Sequence, residues 1–244
     1  MKYAILGDVH SNFDALETVV EHALREGVKV FTCVGDVVGY GPEPSRCIAL
    51  LKDIDAKVVS GNHDWAVLNK LDVTDFNPVA KESIFWTQEN ITDIDKTYLD
   101  SLPLTIEMND FVITHGTLHD PDKFYYLQSP HDAELSFLEM ERLNKPLCVC
   151  GHSHVPVNFY YHNKEVSYDQ ELKINIDPHI HTISNVGSVG QPRDRNNKTG
   201  YACFDSERMT LNLFRIEYDY KKTMKKIDAA MLPEYNALRL INGI

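Results

Sequence analysis

The first third of the chain changes character every few residues, and this alternation limits the folds open to it more than any other feature. Tyr3–Leu6 is an apolar run with strand character. Asn12–Glu26 places Phe13, Leu16, Val19, Val20, Ala23 and Leu24 at helical spacing and stops at Gly27. Val28–Val34 reads as a second strand, Ser45–Lys52 as a helix and Ala56–Ser60 as a third strand. Strand and helix in turn are the pattern of βαβ units, which build a mostly parallel, buried sheet.

The segment Trp65–Leu102 reads as helical with one interruption at Asn77-Pro78. Phe111–Thr114 and Leu147–Cys150 restore strands. After Val155 the runs Val157–Tyr161, Glu165–Tyr168, Lys173–Ile176, Thr182–Asn185, Tyr201–Phe204 and Thr210–Glu217 are short and separated by turn residues, which predicts antiparallel sheet. The tail Tyr218–Ile244 is helical again. No repeat or Gly/Ser linker divides the chain. The expectation is an α/β fold in a single domain over residues 1–244, with two packed sheets flanked by helices.

The 244 residues carry a net charge of −12, which sets a duplex nucleic acid at a disadvantage as partner. No apolar run approaches the roughly 20 residues a bilayer requires, and the acidic Asp8 follows the N-terminal run too closely for a signal peptide. The five cysteines are an odd, scattered set. Buried thiols in a reducing cytoplasm are expected, Cys148 and Cys150 included.

Short polar motifs stand just after strand-like runs: Gly7-Asp8-Val9-His10-Ser11-Asn12, Gly35-Asp36, Gly61-Asn62-His63-Asp64, Thr114-His115-Gly116 and Gly151-His152-Ser153-His154. Sites in open α/β sheets lie beyond the carboxyl ends of strands, so these residues are expected to converge on one edge of one sheet. In extended chain, residues i and i+2 point to the same side. Asp8 with His10, and His152 with His154, would then face a metal ion in pairs. Carboxylate, imidazole and amide oxygen together suit two divalent transition metal ions, Mn, Fe or Zn, better than an all-oxygen Mg or Ca cage. Two such ions bring four positive charges, Asp8 and Asp36 remove two and a hydroxide one, leaving about +1. Asn62, in place of an Asp, preserves that balance, and the net result favours a small anionic ester. The other His-x-His pair, His179 and His181, follows no glycine after a strand and reads as surface or sheet edge.

The ordered set of Asp8, His10, Asp36, Asn62-His63-Asp64, His115, His152 and His154 resembles the calcineurin-like metallophosphoesterase superfamily, and in particular its small bacterial and archaeal phosphodiesterase branch. Gly39-Tyr40-Gly41-Pro42 and Asn185-Val186-Gly187-Ser188-Val189-Gly190-Gln191-Pro192-Arg193-Asp194 match loops of that branch, with Val186 at a position usually proline. The loop Gly116-Thr117-Leu118-His119-Asp120-Pro121 matches another, with His119 where relatives often carry arginine.

The resemblance implies a four-layer α/β/β/α sandwich of two packed mixed sheets flanked by helices. It implies one metal on Asp8, His10 and His154, a second on Asn62, His115 and His152, and Asp36 as the bridge. The implied activity is hydrolysis of phosphate esters, foremost a phosphodiesterase acting on a small nucleotide-like substrate. His63 would stand unliganded beside the scissile phosphate, protonating the leaving oxygen or holding its developing charge. Asp64 either orients His63 or caps the following helix. Tyr40 either lines the pocket or packs within its loop, and Arg193 contacts either phosphate or a nearby carboxylate. His119 is a further candidate for substrate contact.

A phosphomonoesterase is a competing expectation. A protein phosphatase would usually carry an arginine soon after the second aspartate, which Gly35-Asp36-Val37-Val38-Gly39-Tyr40-Gly41 lacks. A non-catalytic scaffold of the same fold would have lost ligands, and this chain keeps them. The pocket depends on the helical Trp65–Leu102 segment, so the sequence leaves the natural substrate open, as it does the oligomeric state.

Overall fold

The computed structural model describes all 244 residues. In chain order the first elements are β1 (Lys2–Leu6), α1 (Phe13–Arg25), β2 (Val30–Cys33), α2 (Pro44–Asp53), β3 (Lys57–Val58), α3 (Asn62–Val67), α4 (Pro78–Asn90) and α5 (Asp93–Asp100). There follow β4 (Thr105–Glu107), β5 (Phe111–Thr114), α6 (Pro130–Leu143), β6 (Leu147–Cys150), β7 (Val157–His162), β8 (Glu165–Asp169) and β9 (Lys173–Asn175). The chain closes with β10 (His181–Asn185), β11 (Thr199–Asp205), β12 (Thr210–Ile216), α7 (Tyr220–Ala229) and α8 (Glu234–Asn242).

The strands form two six-stranded mixed sheets, β3-β2-β1-β11-β12-β9 and β4-β5-β6-β10-β7-β8. Side chains alternate across each strand, and this builds the layers. Tyr3 and Ile5 of β1, Phe111 and Ile113 of β5, Leu147 and Val149 of β6 and Phe204 of β11 meet between the sheets. Phe111 sits edge-on to Tyr3 at 5.2 Å and to Phe204 at 5.4 Å. Burying each such ring contributes on the order of 1.5–3 kcal/mol. Their neighbours point outward. Ala4 and Leu6 pack under the helical layer of α1, α2 and α3, whereas Val112, Cys148 and Cys150 pack under α6. The result is the α/β/β/α sandwich that the resemblance implied.

Strands β1, β2 and β3 are parallel, as the βαβ alternation predicted. The later half departs from expectation. Its short strands do not make one antiparallel sheet. β7, β8 and β10 join the second sheet, β9, β11 and β12 join the first, and β10 runs parallel to β6. Pairing between strands distant in sequence decides this, and periodicity carries no such information. The Trp65–Leu102 segment has two breaks rather than one. The chain leaves helix between α3 and α4, and Thr92 starts α5 with a capping box to Asp95. β4 and α6 had no counterpart in the sequence reading.

His179 is exposed, as expected, but His181 opens β10, an interior strand, and its Nδ1 contacts the Lys145 carbonyl at 3.0 Å. All five cysteines are buried and free. No helix is long and apolar enough to cross a membrane. The tail helices return to the front of the molecule. Lys226 of α7 reaches Asp14 of α1 at 2.7 Å, and the Trp86 indole of α4 donates to the Ala230 carbonyl at 2.9 Å.

Candidate metal centre

The seven candidate ligands follow strand ends, but not those of one sheet. Asp8, Asp36 and Asn62 follow β1, β2 and β3 of the first sheet, while His115 and His152 with His154 follow β5 and β6 of the second. The centre therefore lies where the ends of both sheets meet, a correction to the single sheet edge expected. The backbone is also not extended there. Asp8, His10, Asp36, His152 and His154 have φ of 44°, 47°, 51°, 70° and 61°. This left-handed conformation costs about 1–3 kcal/mol at each non-glycine residue. The i, i+2 pairs converge through these tight turns and not through strand alternation.

Hydrogen bonds between loops hold the strained turns. The His10 N–H donates to the Asp36 carbonyl at 2.9 Å, and the Ser188 hydroxyl donates to the Asp8 carbonyl at 2.8 Å. The Asn185 amide group donates to the Gly151 carbonyl and to Ser153 Oγ. The Asn185–Asp194 motif thus ties the Asp8 loop to the His152 loop. Two glycines are required by close approach. A Cβ at Gly61 would strike the Asp36 backbone and carboxylate, and one at Gly151 would strike the Asp8 carboxylate.

The donor atoms form two groups that share Asp36: Asp8, His10, Asp36 and His154, and Asp36, His115 and His152. Asp36 Oδ2 lies 3.5 Å from His10 Nε2 and 3.4 Å from His115 Nε2. Asn62 Oδ1 joins the second group at 3.1 Å from His115 Nε2, which is also 3.1 Å from His152 Nδ1. The backbone N–H of His152 donates to both Asp8 oxygens at 3.0 Å.

The tautomers test whether a cation fits. His10 Nδ1 is 3.0 Å from the Val38 carbonyl and His154 Nδ1 is 2.6 Å from the Gln191 carbonyl, so both Nδ1 atoms carry the proton. Both Nε2 atoms then present lone pairs, and they face each other at 3.0 Å. Two acceptors so placed repel, and a cation between them removes the conflict. Two nitrogens held by one ion through bonds of about 2.1 Å would stand about 3.0–3.4 Å apart, a range that includes the separation found.

Burial pushes the Asp8 carboxyl up to about 7, with Asp36 adding to the rise and His115 opposing it. Burial also keeps His10, His152 and His154 well below the usual histidine range, hence neutral and ready to ligate. His115 goes the other way, to about 9, because Asp36 and Asp8 outweigh its burial. A proton on His115 would relieve the second group without a cation, and a divalent ion held by Asn62, His115 and His152 would take its place.

His63 is 5% exposed, its backbone N–H donates to Asp36 Oδ1 at 2.8 Å, and its Nδ1 has no hydrogen-bond partner. Its ring sits 4.6 Å from that of Tyr40 and 4.8 Å from that of His10. Asp64 spends its carboxylate on backbone: Gly61 N–H donates to it at 2.9 Å and Val38 N–H at 3.2 Å. Of its two readings the geometry is that of helix capping, with no bond to His63. Arg193 donates to Gln191 Oε1 at 2.8 Å and forms no ion pair, while the adjacent Asp194 pairs with Arg215.

His119 stands apart. The Thr117 hydroxyl donates to its carbonyl at 2.7 Å, and the Leu118 N–H donates to Ser136 of α6 at 3.0 Å. That anchoring turns the His119 imidazole toward Asp120, in a different depression that includes Glu139 and Arg142. His119, a candidate substrate contact by the resemblance of its loop, is thus not among the residues that line the cleft beside His63.

The cleft beside His63 has a volume of about 460 Å³ and is lined by Tyr40, Asn62, Phe76, Phe124, Tyr126 and His152, among others. Tyr126 stacks on His152 at 3.8 Å, and Phe124 sits edge-on to His115 at 5.9 Å. The aromatic run Phe124-Tyr125-Tyr126, soon after the His115 motif, is the sequence signal for these walls.

A family model described as the calcineurin-like phosphoesterase superfamily domain matches residues 1–209. An uncharacterised protein of Methanocaldococcus jannaschii is 35% identical over 251 residues, covering 98% of this chain and 97% of that one. A crystal structure of a metallophosphoesterase from Sphaerobacter thermophilus superposes with a TM-score of 0.86 at 33% identity, covering 100% of this chain and 99% of that one. A hypothetical protein from Pyrococcus horikoshii shares the fold at a TM-score of 0.78 and 21% identity, over 100% of this chain and 98% of that one.

Proposed function

The chain belongs to the calcineurin-like phosphoesterase superfamily and is a metal-dependent phosphoesterase, and from that premise we propose that it hydrolyses phosphodiester bonds in small nucleotide-like substrates. The observation that carries this reading is the pair of buried donor groups sharing Asp36 at the floor of an open, aromatic cleft. Asp8, His10, Asp36 and His154 would hold one divalent ion, and Asn62, His115 and His152 would complete the other with Asp36. Such a pair supplies positive charge to a phosphate and lowers the pKa of water enough to give hydroxide near neutral pH. Mn, Fe or Zn suits this mixed nitrogen and oxygen donor set.

The chain's own residues do the rest. Phe76, Phe124 and Tyr126 receive the planar part of the substrate, as aromatic walls favour stacking. Arg193, free of carboxylate partners, steadies charge on the equatorial oxygens. His63 hydrogen-bonds the leaving oxygen from its place between Tyr40 and Phe76. Asp64 acts through the backbone, fixing the turn that presents Asn62 and His63. The tail helices pack on α1 and α4, in keeping with one domain across residues 1–244, and five free buried thiols fit a reducing, cytoplasmic setting.

The test is turnover of bis-p-nitrophenyl phosphate with added Mn²⁺, abolished by EDTA. His63→Ala should lose about 10²–10⁴-fold in turnover while retaining metal. A panel of mono- and diester reporters, cyclic nucleotides and dinucleoside polyphosphates separates diesterase from monoesterase. A chain that binds no metal and turns over none of the panel would leave the scaffold reading.

A further inference from the structure

Helix α8 brings a second arginine to the Tyr40 loop beside the metal centre, from a part of the chain beyond the residues the family model matches. The Arg239 guanidinium lies 5.8 Å from the Tyr40 ring centroid, and that of Arg193 lies 5.6 Å from the same centroid. The Tyr40 ring is in turn 4.6 Å from that of His63 and 4.8 Å from that of the candidate ligand His10. One buried aromatic ring therefore links two cations to the reacting end of the cleft.

Neither guanidinium pairs with an acidic side chain. Arg193 donates to the neutral Gln191 Oε1, and Arg239 Nε donates to the main-chain oxygen of Ile244, the last residue of the sequence, and stands 5.4 Å from the Tyr235 ring. In a chain of net charge −12, two neighbouring arginines without an Asp or Glu partner are unusual. They also repel. Burial lowers the Arg239 pKa, and the charge of Arg193 lowers it further.

The fold nevertheless holds them together. Asn236, one turn before Arg239, donates to the Tyr40 carbonyl at 3.0 Å and to Ser83 Oγ at 2.9 Å, which clamps α8 onto the Tyr40 loop. The two differ in reach. Arg193 acts electrostatically on Asp8, His10, His152 and His154 and also on His63, where Arg239 adds a smaller effect. Arg193 thus faces the ligand cluster and Arg239 stands further out. A guanidinium has five N–H donors, and most of these are unused.

We propose that Arg239 binds a phosphate of the substrate other than the one hydrolysed, so that the natural substrate is a nucleotide derivative with two or more linked phosphates. Arg193 and Arg239 then grip adjacent phosphates, and the second negative charge relieves their mutual repulsion. This rests on the phosphoesterase reading above and narrows its substrate class.

The experiment compares inorganic pyrophosphate with inorganic orthophosphate as competitive inhibitors of bis-p-nitrophenyl phosphate turnover, at buffered free Mn²⁺. The native protein should bind pyrophosphate the more tightly. Arg239→Gln should narrow that preference about tenfold, and Arg239→Lys should recover part of it. Arg142→Gln, on the exposed face of α6, should leave the preference as it is. Melting temperatures show whether each variant folds, and the Lys variant keeps the test alive if the Gln variant does not.

A native protein without preference for pyrophosphate overturns the proposal. So does an Arg239→Gln variant in which both inhibitors weaken alike or neither changes. If the native protein does not turn over the reporter, it is the phosphodiesterase reading that fails, and the same ratio is read by calorimetry on Mn²⁺-loaded protein.

Discussion

His10 Nε2 and His154 Nε2 face each other at 3.0 Å, each with its Nδ1 proton already given to a main-chain carbonyl. The relationship makes the chain a poor fit to itself and a good fit to a cation. Metal should therefore stabilise the fold. At Mn²⁺ concentrations 100-fold above the dissociation constant the gain is about 2.7 kcal/mol, and EDTA should remove it. Melting curves with and without chelator check this, and coincident curves would refute it.

Asp36 reaches both histidine groups through one oxygen and the His63 backbone through the other. Asp36→Asn keeps the shape and removes the charge. Bound metal should fall to one ion or none per chain, and turnover should fall by at least about 100-fold. Elemental analysis of the purified variant decides it: two ions retained would show that Asp36 is no bridge.

Gly61→Ala adds a methyl group where the Asp36 backbone and carboxylate already stand. The expected cost is about 1–3 kcal/mol, together with loss of metal. Gly27→Ala is the comparison. Its φ of 79° makes alanine strained, but the methyl meets nothing, so a cost of about 1 kcal/mol with metal retained is expected. Equal metal content in the two variants would count against the close-approach argument.

Asp14 ties the tail to α1 through Lys222 at 2.8 Å and Lys226 at 2.7 Å. Partial burial would raise its pKa, but the two lysines prevail and hold it below the usual 3.8. A depressed carboxyl contributes stability that is present above its unfolded pKa and is lost as pH falls through the folded value. Stability should therefore decline below about pH 4. Asp14→Asn should flatten that decline while lowering stability at pH 7. Thermal melts of both proteins from pH 7 to pH 3 provide the measurement, and parallel curves would exclude the contribution.

The local part of this protein was legible in its residues. Alternating apolar runs marked β1, α1, β2 and α2, and the polar motifs at strand ends picked out Asp8, Asp36, Asn62, His115 and His152, because strand and helix periods are properties of neighbouring residues. Even the second break before α5 is present in the sequence as Thr92 and Asp95, a capping pair.

What the residues alone could not decide was every question of partnership between distant segments. Only the tertiary structure placed β10 beside β6, drew the candidate ligands from both sheets, forced Asp8, His10 and His154 into left-handed turns and swung His119 away toward α6. It also carried Arg239 back from the tail to Tyr40. The physical reason is the same in each case. Sequence periodicity reports which face of an element is buried, whereas burial against what, and strain repaid by which hydrogen bond, depend on contacts that exist only once the chain has closed on itself.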